Sequence, residues 1–207
     1  MDTVERGDAE LLQAWRDGDA HAGEVLFDRH INTVVRFFRN KVREGADDLA
    51  QHTFLRMIEG KQRIREDQAF RAFMLGIARN VMYEHLRELG RGRGVDPEVD
   101  AVAGLDPGPT TLAGRREEHR LLLEALRRLP LEHQVALELF YWEGMRGAEI
   151  AEVMGVSHSA MRSRLAKARA LLSESMESLA ASPQLLASTM HGLETWAAQL
   201  RGQLGES

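Results

Sequence analysis

The stretch Gly147-Ala-Glu-Ile-Ala-Glu-Val-Met-Gly155-Val-Ser-His-Ser-Ala-Met-Arg-Ser-Arg-Leu165 constrains this chain more than any other. It has the grammar of two short helices crossing at a tight turn. Small Ala151 lets the helices approach, Gly155 supplies a left-handed turn residue, Val156 plugs the corner, and Ser157 caps the helix that starts near His158. If Met161, Leu165 and Ala168 face inward, a step of about 100° per residue puts Ser159, Arg162, Ser163, Ala166 and Lys167 on the opposite face. From Val153 to Ser173 there is no acid, and Arg164 and Arg169 flank the exposed face. Short polar residues allow close approach to a groove, and long cations reach bases or phosphates, so this helix is expected to bind DNA.

The remainder also reads as helix. Asp8 is placed to cap a first helix that runs through Trp15 and stops at Gly18. Asp19 caps a second, with Phe27, Ile31, Val34, Val35 and Phe38 in one apolar stripe, ended by Gly45. A third helix spans about Asp47 to Gly60 with Leu49, Phe54, Met57 and Ile58 inward, followed by a polar loop from Lys61 to Glu66. Asp67 then caps a fourth, which buries Phe70, Phe73, Met74, Ile77 and Val81, turns Arg71, Arg79 and Arg87 elsewhere, and ends at Gly90.

Glycines and prolines cluster from residue 91 to 116, where apolar content is too thin to offset ordering entropy, so a flexible linker is expected. A second helical domain covers residues 117–181. Leu122, Leu126 and Leu129 lead to Pro130, then Val135, Leu139 and Phe140 to Gly144, and two shorter helices follow. After Ser182-Pro183, residues 182–207 form an amphipathic helical extension through Leu186, Met190, Leu193, Ala197, Leu200 and Leu204. It could dock on its own domain, on an inhibitory protein or on a second copy, and intramolecular docking is favoured because an exposed apolar stripe invites aggregation. The fold class is therefore all-α: two small helical domains, a linker and a C-terminal helix.

Charge and composition narrow the function. The 207 residues carry a formal net charge of −5, so an isolated chain with one basic helix should bind duplex DNA poorly. With no cysteine, disulfides and thiolate chemistry are excluded. The histidines show no HExxH or paired spacing, and there is no phosphate-binding loop or nucleophile elbow, so no metal, cofactor or enzymatic activity is expected. No apolar run approaches the roughly 20 residues that cross a bilayer, and the acidic N-terminus is unlike a signal peptide, so membrane insertion is not expected and the cytoplasm is. A receiver-linked activator would need alternating strands and helices before residue 90, where none are seen.

Leu126-Arg-Arg-Leu-Pro130, Phe140-Tyr-Trp-Glu-Gly144, Ala148-Glu-Ile-Ala-Glu152 and Ser163-Arg-Leu-Ala-Lys-Ala-Arg169 resemble region four of extracytoplasmic-function sigma factors. Asp47-Asp-Leu-Ala-Gln-His-Thr-Phe-Leu55 and Phe70-Arg-Ala-Phe-Met-Leu-Gly-Ile-Ala-Arg-Asn80 resemble region two of the same family. The resemblance implies a subunit of core RNA polymerase that directs promoter-specific initiation. Residues 1–90 would then hold polymerase through Asp47, Asp48, Gln51 and His52 and open the minus-ten element with Arg71, Arg79, Asn80, Tyr83 and Arg87. Residues 117–181 would read the minus-thirty-five element with Ser159, Arg162, Ser163, Arg164, Lys167 and Arg169. Promoter DNA and an anti-sigma factor are the further partners implied. The chain departs from the family pattern at His52, where a glutamate is frequent, and at Phe73, Leu75 and Gly76, where Trp, Tyr and Arg are frequent. Weaker stacking and phosphate contact in the melting helix is the expected consequence. Residues alone would make Asn80, Tyr83 and Arg87 an ordinary exposed helix face.

Overall fold

A computed structural model describes residues 6–64, 70–91 and 116–192. Among these residues every regular element is helical. The N-terminal half contains α1 (Asp8–Arg16), α2 (Ala20–Arg39), α3 (Ala46–Gly60), a single 3-10 turn over Lys61–Arg63, and α4 (Phe70–Gly90). The C-terminal half contains α5 (Glu117–Arg127), α6 (Leu131–Tyr141), α7 (Gly147–Met154), α8 (His158–Leu179) and a further helix, α9, over residues 183–192. The expected linker falls almost wholly on 92–115, outside the described residues, as do the Asp67 cap and the tail beyond 192.

Local chemistry sets most boundaries. Asp19 Oδ1 accepts from the Ala22 amide at 3.2 Å, and Ser157 Oγ from the Ala160 amide at 3.2 Å, each satisfying a first-turn donor. Gly155 sits at φ +65, a conformation costly for a residue with Cβ, and turns α7 into α8. Three expectations need correction. Gly7, not Asp8, is the cap of α1, because the Asp8 carboxylate bonds across to Arg29 (2.6 Å) and His30 (2.8 Å) of α2. Helix α2 ends at Arg39, not at Gly45; the turn that follows carries Lys41 inward, and Gly45, at φ +80, instead precedes α3. The helix after Ser157 is not short: α8 runs 22 residues to Leu179.

Two apolar clusters hold the molecule, and they do not divide at the linker. The larger joins Leu26, Phe38, Met74 and Leu86 of the N-terminal half to Leu131, Val135, Ile150, Met154 and Met161 of the C-terminal half. The smaller gathers Leu122, Leu126, Trp142, Leu172 and Met176, with Leu185 and Leu186 of α9 packed on it. Thr189 is fully buried and Ser188 donates to Glu118 at 3.3 Å, so the described part of the C-terminal extension docks on its own half. The halves therefore pack face to face. Gly76 of α4 lies at this contact: a Cβ there would meet the Val153 carbonyl of α7 at 3.7 Å, an ordinary van der Waals distance.

Candidate nucleic-acid interface

Helix α8 presents the basic face its sequence requires. Met161, Leu165, Ala168, Leu172 and Met176 are buried at helical spacing, which leaves Ser159, Arg162, Ser163, Ala166 and Lys167 exposed together. Arg169 flanks them, with Nε donating to the Tyr141 hydroxyl at 3.1 Å and its guanidinium 4.7 Å from the Phe140 ring. Stacking of this kind holds a guanidinium flat while leaving its charge available. Arg164 turns instead toward α6 and donates to Glu132.

Helix α4 carries the second set of cations, and two of them, Arg71 and Arg79, face the C-terminal half. Arg71 donates to Glu143, which also accepts from Arg36 Nη2 at 2.6 Å. Arg79 donates to Glu132 Oε1, and the Tyr83 hydroxyl donates to the same oxygen at 2.6 Å. The Arg79 and Arg87 guanidinium groups lie 4.8 and 5.5 Å from the Tyr83 ring. Exposed Asn80 sits beside them at the mouth of a cavity of about 320 Å³ lined by Arg56, Arg79, Asn80, Tyr83, Glu84 and Arg87. Arg56 bonds Glu84 through both terminal nitrogens at 2.5 and 2.8 Å, and this holds the Glu84 carboxyl below its usual range.

A larger cavity, about 570 Å³, lies where α4, α6 and α8 converge, lined by Arg79, Glu132, His133, Ser163, Arg164 and Lys167. Burial pushes the His133 imidazole below its usual pKa, and Lys167 and Arg164 push it further in the same direction. Its lining sets Arg79, Arg164 and Lys167 against one acid, Glu132.

On α2 and α3, Ile31, Leu55 and Ile58 are 44, 52 and 46% exposed and border a groove of about 470 Å³ with Phe27, Val35 and Phe54. Asp47 and Gln51 line it, and Asp48 and His52 are exposed on the same helix. The expectation that Ile58 points inward is therefore wrong, and Ile31, expected on the apolar stripe of α2, is equally exposed. Helical spacing put them on the apolar stripe, but nothing among the described residues covers them.

Two family descriptions match the chain in the same order as these surfaces: Sigma-70 region 2 over residues 26–92 and Sigma-70, region 4 over residues 119–172. The chain is 33% identical over 175 residues to the ECF RNA polymerase sigma factor SigM of Mycobacterium tuberculosis, covering 81% of this chain and 84% of that protein. This chain is an extracytoplasmic-function sigma factor. Its fold resembles that of CnrH in complex with the cytosolic domain of CnrY, with a TM-score of 0.58 and 25% identity over 83% of this sigma factor and 97% of CnrH. The sigma factor RpoE from Bartonella quintana, in complex with the anti-sigma factor NepR, shares the fold at a TM-score of 0.54 and 21% identity, covering 74% of this chain and 93% of that one.

Placed in the structure, the family departures change meaning. Leu75 is fully buried in the core and Gly76 faces α7 across the contact between halves, so neither lies on an open melting surface. What the sequence did not reveal is the set of acids that meets the N-terminal half: Glu132, Glu138 and Glu143. No local signal marks them, since each pairs with a residue far away in the chain.

Proposed function

We propose that this sigma factor divides promoter recognition between its halves, residues 1–90 and 117–181. Ser159, Arg162, Ser163 and Lys167 of α8 enter the major groove of the minus-thirty-five element, with Arg164 and Arg169 on the flanking phosphates. Arg71, Arg79 and Arg87 of α4 hold minus-ten phosphates, and the cavity beside Asn80 and Tyr83 takes an unpaired base. A surface that binds unpaired bases better than paired ones shifts the duplex toward opening without covalent chemistry. The groove of Ile31, Leu55 and Ile58, rimmed by Asp47, Asp48, Gln51 and His52, docks on polymerase, which supplies the catalysis. An anti-sigma factor is a further partner, by analogy with the NepR complex of the Bartonella protein. Action on polymerase places the protein in the cytoplasm; no helix among the described residues is long and apolar enough to cross a membrane.

The single observation carrying this reading is the coincident exposure of Ser159, Arg162, Ser163 and Lys167 on one acid-free face of α8. Alanine at Arg162 should lower initiation by holoenzyme about tenfold, and a base change at the contacted position should then cost nothing further, each specific contact being worth about 1–3 kcal/mol. Additive losses from the protein and base changes would place Arg162 away from that base.

A further inference from the structure

The cleft where α4, α6 and α8 converge has features of a small-molecule site that promoter recognition does not account for. Its volume, about 570 Å³, falls within the range of roughly 300–1,000 Å³ typical of ligand pockets. The lining has two characters: Arg79, Arg164 and Lys167 are cationic, whereas Met154 and Val156 are apolar. The acid among them, Glu132, accepts from Arg79, Tyr83 and Arg164. It therefore fixes two guanidinium groups in place before any ligand arrives, and such preorganisation lowers the cost of binding.

Two nitrogens of the lining residues point to an occupant. Arg79 Nε and His133 Nδ1 are both buried, and neither makes a hydrogen bond among the described residues. Leaving a buried polar atom unpaired costs free energy, so such atoms in a fold mark a place for a water, an ion or a ligand. The chemistry of the lining selects among these. Guanidinium and ammonium groups recognise phosphate oxygens, and a flat apolar ring fits against Met and Val side chains. A lone phosphate would leave the apolar part uncovered. Duplex DNA offers phosphates but keeps its bases stacked inside, so it cannot supply the ring.

We propose that this cleft binds a nucleoside polyphosphate, its phosphates on Arg79, Arg164 and Lys167 and its base against Met154 and Val156. The consequence for transcription rests on the reading of α8 as the minus-thirty-five helix. Ser163, Arg164 and Lys167 line the cleft and also belong to the proposed DNA face, so nucleotide and promoter compete for the same side chains. Arg162, on the same helix, does not line the cleft and stays available.

Calorimetric titration of the full-length protein at physiological salt tests the site, with ATP, GTP, inorganic tripolyphosphate and adenosine as separate probes. At least one of the two nucleotides should bind one to one, and tripolyphosphate and adenosine should each bind more weakly than it by about tenfold or more. Lys167→Gln, at an exposed position, should weaken the nucleotide on the order of tenfold. Arg162→Gln removes the same charge from the same helix outside the cleft and should leave nucleotide binding unchanged. No saturable binding of either nucleotide, equal losses in the two variants, or tripolyphosphate as tight as the nucleotides would overturn the site. Anisotropy of a labelled minus-thirty-five duplex separates this proposal from the reading beneath it. Nucleotide that binds without displacing duplex would take Ser163 and Lys167 out of the DNA contacts while the site stands. Duplex binding weakened by Lys167→Gln, with no nucleotide bound by the unaltered protein, would sink the site and keep the DNA reading.

Discussion

Helices α4 and α8 both carry arginines suited to nucleic acid, yet the fold treats them in opposite ways. Arg162 and Lys167 of α8 face solvent with no ion-pair partner among the described residues, whereas Arg71 and Arg79 of α4 are held by carboxylates from the other half. A recognition helix that reads an intact duplex can stay exposed, because net charge −5 already limits its non-specific binding. On α4, by contrast, Arg71 and Arg79 are engaged by acids of the other half.

The sharpest way to break this comparison is to attack what keeps α4 covered. Lys41→Met alone leaves Glu138 buried without its partner and should destabilise the protein by about 3–5 kcal/mol, while the pair Lys41→Met with Glu138→Leu should recover most of that loss. Chemical denaturation of the variants measures both. Burial drives the Lys41 ammonium and the Glu138 carboxyl each toward the neutral form against their mutual attraction, which is why losing one partner costs more than losing both. Equal losses for the single and double variants would mean the pair is not the bridge.

Next in size is a contrast between the helices themselves. Arg162→Ala should weaken binding of free protein to minus-thirty-five duplex by about 1–3 kcal/mol, whereas Arg79→Ala should leave that binding unchanged and act only in holoenzyme. Anisotropy titrations read the difference. If Arg79→Ala weakens the free protein as much as Arg162→Ala, the shielding of α4 is not real.

The helix-turn-helix was legible because its logic is local: Gly155 at positive φ, Ser157 at the cap, and Met161 and Leu165 inward all lie within a few residues. The basic face of α8 followed from the same spacing. The contact between halves was not legible, because Glu132, Glu138 and Glu143 meet cations up to 107 residues away, and such pairs leave no period in the sequence. Ile31 and Ile58 misled for a related reason. An apolar stripe tells which side of a helix avoids water, not whether the chain itself or a partner covers it. The departures at Leu75 and Gly76 likewise suggested weak stacking, but their positions make them part of the packing between α4 and its neighbours.

Smaller effects sharpen the account of each half. Ending the chain at Ser182 removes Leu185 and Leu186 from the second cluster, each partly buried, and should cost about 1–2 kcal/mol. The thermal midpoint should fall by several degrees; an unchanged midpoint would mean that α9 does not support its half. Smallest is the effect of pH on the N-terminal half. The hydrogen bond from His30, with a further one from Arg29, holds the Asp8 carboxyl below its ordinary range. The stability this adds is fully present above the unfolded value of about 3.9 and is lost as pH falls through the lower folded value. Asp8→Asn should remove that part of the acid dependence, visible as a flatter stability profile below about pH 4.

The division of labour between α8 and α4 is tested most directly by run-off transcription with purified core polymerase on a library of promoter fragments. The wild-type chain should direct starts from a defined set of promoters, and Arg162→Ala should reduce or redistribute those starts according to the minus-thirty-five sequence. A core enzyme that starts at the same sites with and without this chain would contradict the account.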